Sequence, residues 1–286
     1  MSALTYPVGV GGVGGSGTRV VAMVLRDLGY HLGDDLNDPL DNLWFTLLFK
    51  RRGMLTGEVT DAEFGRCWEL FEAAMSGAAA PRGSERGQAS DFLASLARDG
   101  RMQHTREWLS QRAASLLDAL GRSRALGRVW AWKEPNSHLV LDRLDRLVPG
   151  LRFVLVMRNG LDMAWSANQN QPAFWEGLVL PRKAAAAGPP QRAALAYWCA
   201  AHRRVFALGR AMGERFHTVN FDRLCAAPEG EISRLFDFLG AEVEAGALAR
   251  LSRLVKAPPS IGRYRSLPLD GFDPADVEYV RSLGFA

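Results

Sequence analysis

The sequence predicts an α/β fold, a mostly parallel β-sheet flanked by helices, on three observations. Short apolar runs that end in polar or glycine-containing turns alternate with stretches of helical period. A glycine-rich segment, VGVGGVGGSGTRVV (8–21), lies between a β-rich run and a helical pattern. The run LRFVLVMRNG (151–160) is a plain buried strand closed by a polar turn. At 286 residues and 48% hydrophobic, the chain is long enough to bury a sizeable core. With no internal repeat visible, residues 1–286 are read as a single domain.

In chain order, Tyr6 to Val10 is the first strand, the glycines are a tight loop, and a helix follows from Thr18 with Val20, Val21, Val24, Leu25 and Leu28 on one face. Helical pattern fills 40–52, 61–76 and 104–121. RVWAWKEP (128–135) is a second buried strand, broken by Pro135. LDRLDRLVPG is a helix closed by Pro149 and Gly150, and Arg152 to Met157 is the next strand. LDMAWSANQ opens a helix, RFHTVNFDRL (215–224) is again strand then polar turn, and EGEISRLFDFLG is an amphipathic helix ending on Gly240. Three stretches interrupt this order, at 76–90, 181–190 and 256–274. Their Gly, Pro and Ser content predicts mobile loops, the first two as lids.

The formal charge is +4, and of 35 basic residues only Lys50, Lys133, Lys183 and Lys256 are lysine. So mild a charge predicts no nucleic-acid partner, and the arginines as a set reflect composition. Single arginines inside motifs suit planar, bidentate anion recognition. Cys67, Cys199 and Cys225 are too widely spaced for a disulfide framework or a metal site and are expected to be buried thiols. No basic-then-apolar leader and no apolar run near the ~20 residues of a membrane span appear, so a cytoplasmic protein without a membrane span is expected.

A glycine turn between a strand and a helix N-terminus suits an anion, and three ligands compete for it. Gly9, Gly11 and Gly14 meet the dinucleotide pattern G-x-G-x-x-G, which also needs a second strand ending in an acid about 20 residues on, where YHLGDD (30–35) is a poor strand. The ATP-binding P-loop register on Gly12 and Gly17 puts Thr18 where the lysine belongs and Arg19 where the magnesium-binding hydroxyl belongs, which argues against ATP chemistry. A third ligand is a 5′-phosphosulfate wrapped by Gly15, Ser16, Gly17 and Thr18, with Arg19 adding charge and no metal required.

GGSGTR resembles the loop of sulfotransferases that use 3′-phosphoadenosine-5′-phosphosulfate (PAPS). RFVLVMRNGLDMAWS (152–166) is similar to that family's second motif, a strand ending in Arg158 with Ser166 eight residues on. VNFDRLCAAPEGEISRLFDFLG (219–240) resembles a scaffold segment of the family. SIGRYRS (260–266) falls where the family returns a basic loop over the nucleotide 3′-phosphate. The resemblance covers most of the chain and implies a P-loop-NTPase-like sulfotransferase fold. It also implies PAPS as donor, 3′,5′-adenosine bisphosphate (PAP) as product, and no metal. Gly15, Ser16, Gly17, Thr18 and Arg19 would hold the 5′-phosphosulfate, Arg158 and Ser166 a phosphate at the same sheet edge, and Arg263 and Arg265 the 3′-phosphate.

Sulfuryl transfer asks for a cation at the bridging oxygen and a base for the acceptor hydroxyl. Many sulfotransferases have a loop lysine where this chain has Gly15. Lys133 in WKEPNSH (132–138) resembles the K-D-P step of the protein-tyrosine sulfotransferases and is the replacement candidate. LGDDLND (32–38) falls where those enzymes carry a catalytic glutamate, which makes Asp35 or Asp34 the base, with Asp41 next and His31 and His138 behind them. Trp44, Phe45, Trp165, Phe174 and Trp175 are candidate acceptor walls. The acceptor is a hydroxyl compound that the sequence does not name, and the oligomeric state is open. A dinucleotide-dependent oxidoreductase and a non-catalytic nucleotide-binding protein are the alternatives.

Overall fold

The structure is a computed structural model that describes residues 6–77, 83–98, 103–122, 129–180, 189–241, 244 and 246–285. Its first elements are β1 (Val8–Gly11), α1 (Thr18–Asp27), α2 (Leu43–Phe49), α3 (Gly53–Thr56), α4 (Asp61–Ser76), α5 (Ser84–Arg98) and α6 (Arg106–Leu120). Then come β2 (Ala131–Lys133), a 3₁₀ turn at Pro135–Val140, α7 (Leu141–Leu147), β3 (Arg152–Met157), α8 (Gly160–Ala164), α9 (Asn170–Val179) and α10 (Pro190–Met212). The chain finishes with β4 (Phe216–Asn220), α11 (Phe221–Ala226), α12 (Pro228–Leu239), α13 (Ala247–Ser252) and α14 (Pro274–Ser282). The four strands form one sheet in the order β2-β1-β3-β4. Val8 pairs with Ala131 and Phe153 with Phe216, both in parallel register. The fold is therefore the expected α/β class, a parallel sheet with helices around it.

Residue contacts divide the chain into two compact units, one of Met1–Val10 with Ala22–Arg152, the other of Gly11–Val21 with Phe153–Ala286. The first is built on an aromatic core. Phe45 stacks on Trp132 with centroids 5.5 Å apart, and Phe71 meets Trp130 and Trp132 edge-on at 5.9 and 5.8 Å. Helices enter this core under side-chain caps: Asn42 accepts from Phe45 N, Thr60 from Glu63 N and Thr105 from Trp108 N. In the second unit β3 is buried, and β4 packs with α12, whose Ile232, Leu235, Phe236 and Leu239 are all buried. Pro228 opens α12, and Gly240, at φ 63°, closes it where the sequence placed its end.

Several boundaries differ from the sequence reading. The pattern over 40–52 contracts to α2, because Asn42 caps its start and Lys50 leaves helical geometry at ψ 64°, and α3 begins only beyond it at Gly53. The strand at 128–135 shrinks to Ala131–Lys133, since Pro135 has no N–H to give a ladder and starts a 3₁₀ turn instead. Within the loop expected at 76–90, residues 84–90 are helical, the start of α5, whose Leu93, Leu96 and Ala97 anchor it in the core. Positions 78–82 of that stretch and 181–188 of the second loop lie outside the described residues. The third, 256–274, contains a 3₁₀ turn at Arg263–Ser266. No helix among the described residues is long and apolar enough to cross a membrane.

Candidate active site

The donor-site candidates all belong to the second unit. Gly12 passes so close to β3 that a Cβ there would run into the carbonyl oxygen of Val156. Gly15 and Gly17 both take φ of +93°, left-handed backbone that glycine enters freely. A Cβ on Gly17 would also collide with the Phe221 ring, whereas one on Gly15 would meet nothing nearer than Met163 at 4.0 Å. Between them Ser16 is 1% exposed, and its Oγ is buried without a partner. Thr18, also buried, begins α1, whose first N–H groups have no intrahelical acceptor. Arg19 follows it on the exposed side. Gln171 steadies the loop from α9: its Nε2 donates to Gly12 O at 3.3 Å, and its Oε1 accepts from Tyr197 OH at 3.3 Å.

Arg158 leaves the end of β3 half-buried. Its Nη2 donates to Ser260 Oγ at 2.7 Å, while its buried Nε has no partner. Burial lowers its pKa, and the charges of Asp162 and Asp222 work the other way. Asp222 is itself pushed above the usual carboxylate range by burial, against the N–H of Asn159, which donates to its Oδ2 at 3.0 Å. Ser166 stands past the end of α8 rather than in the first turns of a helix, because α8 is only five residues long. Its Oγ accepts from Asn168 N at 3.2 Å. Gln169 Nε2 donates to the carbonyls of Met163, Ala164 and Ser166 at 3.0, 3.2 and 2.7 Å, closing that end. Arg263 gives Nε to Ser260 O at 3.3 Å and Nη1 to Trp165 O at 3.1 Å. Arg265 is exposed, with its guanidinium 5.8 Å from the Tyr264 ring centre.

The catalytic candidates belong to the first unit. Lys133 is 2% exposed, and its ammonium donates to Pro39 O at 2.9 Å and to Asp41 Oδ1. The other Asp41 oxygen accepts from Asn37 Nδ2 at 2.9 Å. Leu40, before Asp41, has φ of 66°, so the turn that delivers this carboxylate holds a non-glycine residue in the left-handed region. Asp35 pairs with Arg112 Nε at 3.1 Å, and exposed Asp34 stands 3.7 Å from His31 Nε2. His138 is buried with Nδ1 2.8 Å from Pro135 O, an internal contact of its own turn. Lys133 and Asp41 are thus brought together, and Asp34 and Asp35 face other partners.

Among the proposed acceptor walls, Trp44, Phe45 and Trp175 are core side chains no more than 4% exposed, with Trp44 Nε1 bonded to Ser115 Oγ. Trp165 and Phe174 are half-buried. Sequence reasoning missed Asp162, Gln169, Gln171, Asp222 and Ser260. Asp162 lay inside the segment it quoted, between Arg158 and Ser166, but nothing local shows what that carboxylate holds.

A phosphate suits the glycine turn, with its two left-handed glycines, orphaned serine hydroxyl and helix start, and an anion suits the unmatched Nε of Arg158 elsewhere in the same unit. A dinucleotide fits less well, because residues 30–35 supply only the isolated bridge His31–Trp130 and no second strand to end in an acid. Among the described residues no group of His, Cys, Asp and Glu is arranged to hold a metal ion.

A profile of the sulfotransferase family matches residues 7–245. A search of curated proteins found no match. Among solved structures, the chain is similar to the sulfotransferase domain of the curacin biosynthetic pathway at TM-score 0.54 and 13% identity, covering all of this chain and 99% of that one. It is also similar to the sulfotransferase domain of the olefin synthase of Synechococcus PCC 7002 at TM-score 0.51 and 16% identity, covering 98% and 94%. At such identities the likeness speaks for the fold, and it is the profile, running through the glycine loop, the Arg158 strand and α12, that decides descent: the chain belongs to the sulfotransferase family of group-transferring enzymes.

Proposed function

We propose that the protein is a cytoplasmic enzyme that transfers a sulfuryl group from PAPS to a hydroxyl of a small-molecule or carbohydrate acceptor. The observation that carries this reading is the orphaned Ser16 hydroxyl between two left-handed glycines at a helix start, in the same unit as Arg158 with its unmatched Nε. In the transfer, the acceptor oxygen bonds to sulfur as the bond from sulfur to the 5′-phosphate oxygen breaks. The hydroxyl proton passes to a base, and PAP leaves.

Gly15 to Arg19 would hold the 5′-phosphate, and Arg158, Ser166, Arg263 and Arg265 the 3′-phosphate. Lys133 is proposed as the cation for the departing phosphate oxygen, because Gly15 leaves the loop without a lysine and this ammonium is buried at a strand end. Asp35, Asp34 and Asp41 remain the proposed bases. Asp41 is engaged by both Lys133 and Asn37, which suits orienting the lysine as well as taking a proton.

Calorimetry with PAP, with EDTA present, tests the donor reading. Binding is expected without metal, with a loss of roughly tenfold or more in Ser16→Ala and Arg158→Ala, since charge-assisted bonds to a phosphate are among the stronger hydrogen bonds. Binding of NADH in place of PAP would overturn it.

A further inference from the structure

Asp162 is a carboxylate 1% exposed, one turn beyond Arg158 on the short helix α8. So deep a carboxylate needs partners, and it finds them 100 residues away in sequence. Its Oδ2 accepts from Gly262 N at 2.6 Å and its Oδ1 from Tyr264 N at 3.0 Å. These two N–H groups flank Arg263, the backbone between them carrying the arginine like a link between two pins. Gly262 is at φ +77°, the left-handed entry that lets the 3₁₀ turn Arg263–Ser266 begin there.

The same turn is tied twice more. Arg263 Nη1 donates to Trp165 O, at the end of α8, and Ser260 Oγ accepts from Arg158. The charge of Arg263 works against that of Arg158, and a negative group beside the turn offsets it. Asp162 supplies both the anchoring bonds, one backbone N–H on each of its oxygens, and a compensating negative charge that favours the charged form of Arg158.

Resting on the PAPS reading above, we propose that Asp162 is a positioning residue that preorganises the 260–265 turn for a nucleotide 3′-phosphate and so sets the preference for a 3′-phosphorylated donor over one without that group. It touches no part of the donor. Its effect runs through the backbone of Gly262 and Tyr264, which fixes where Arg263 points before the nucleotide arrives. The ordering is then complete in the free protein and is not charged against binding.

The test compares Kd for PAP and for 5′-AMP, which shares the 5′-phosphate and lacks the 3′-phosphate, across wild type, Asp162→Asn and Asp162→Ser. Wild type is expected to prefer PAP. Both variants are expected to lose roughly tenfold or more of PAP affinity while AMP affinity stays within about threefold, because only the 3′ contacts depend on this anchor. A general weakening of the fold would lower both affinities together and leave their ratio unchanged, which would overturn the proposal.

Amide hydrogen exchange on the wild type gives a second reading that does not depend on the variants folding. The N–H groups of Gly262 and Tyr264 are expected to be protected in the free protein and little changed by PAP. Free exchange that slows only when PAP is added would also overturn preorganisation. Should wild type bind neither nucleotide, the donor reading itself has failed; should it prefer PAP while the variants keep that preference, only the role of Asp162 has.

Discussion

Glycine at position 17 meets two separate demands, a φ of +93° and a ring, Phe221, standing where a side chain would go. Gly17→Ala therefore incurs both left-handed strain and overpacking, about 3 kcal/mol together, and should lower the melting temperature and abolish PAP binding. Phe221→Ala added to it removes the collision but not the strain, so denaturant melts of the double variant should show less than the sum of the two single losses. Lys133 presents a different case. Its ammonium is spent on Asp41 and Pro39 in the resting protein, so an interaction gained mainly in the transition state is expected to appear in kcat. Lys133→Ala should lower kcat by roughly a hundredfold or more with PAP affinity nearly unchanged, read by steady-state kinetics beside calorimetry. Single-turnover rates of Asp35→Asn, Asp34→Asn and Asp41→Asn then identify the base, which should cost roughly 10²- to 10⁴-fold at one position only.

Helix α8 is five residues long, too short to hold itself, and its order comes from its ends. Asn159 caps the start through Leu161 N, and Gln169 gathers three carbonyls at the finish. Gln169→Ala should cost PAP affinity a few-fold, measured by calorimetry, because about 1 kcal/mol of hydrogen bonding around Ser166 is lost while the donor's direct contacts survive. On β4, burial pushes the pKa of His217 below its ordinary value of 6.5, with the charge of Glu231 opposing that shift. The folded protein thus favours the neutral ring. The stability this contributes is fully present above pH 6.5 and is lost as pH falls through the depressed folded value. Thermal melts from pH 7.5 to 5 should show a steeper acid-side decline for wild type than for His217→Gln. The element pattern itself was largely readable in advance. β3 and α12 carry their period and their closing Gly in consecutive residues, whereas the start of α2 depends on Asn42, which caps it through Phe45 N and whose Nδ2 also reaches Leu32 O.

For the whole molecule, the family profile and the parallel sheet agree with what the ordered motifs implied, and the composition alone would not have distinguished a sulfotransferase from any α/β protein of this size. Of the arginines quoted from the motifs, Arg158 and Arg263 are knit into the second unit, while Arg19 and Arg265 are exposed. Affinity for PAP should therefore fall with added salt less for contacts of half-buried Arg158 than for those of Arg19. Titrations of Arg19→Ala and Arg158→Ala at 50 and 500 mM NaCl test this, with Arg19→Ala expected to flatten the salt dependence more.

What the amino-acid sequence determined by itself is local: the strand-loop-helix around Gly15 to Arg19, the strand that delivers Arg158, and the absence of a lysine in the loop. Turn chemistry and side-chain period act over a few residues, so they can be read without knowing the path of the chain. The tertiary structure alone decided the pairings. Lys133 meets Asp41 from 92 positions away, Gln171 meets Gly12 from 159, and Asp162 meets Gly262 from 100. A buried polar group takes whichever partner the packing brings to it, because leaving it unpaired costs more than almost any local preference. That choice is made by the assembled core and is written in no single stretch of residues.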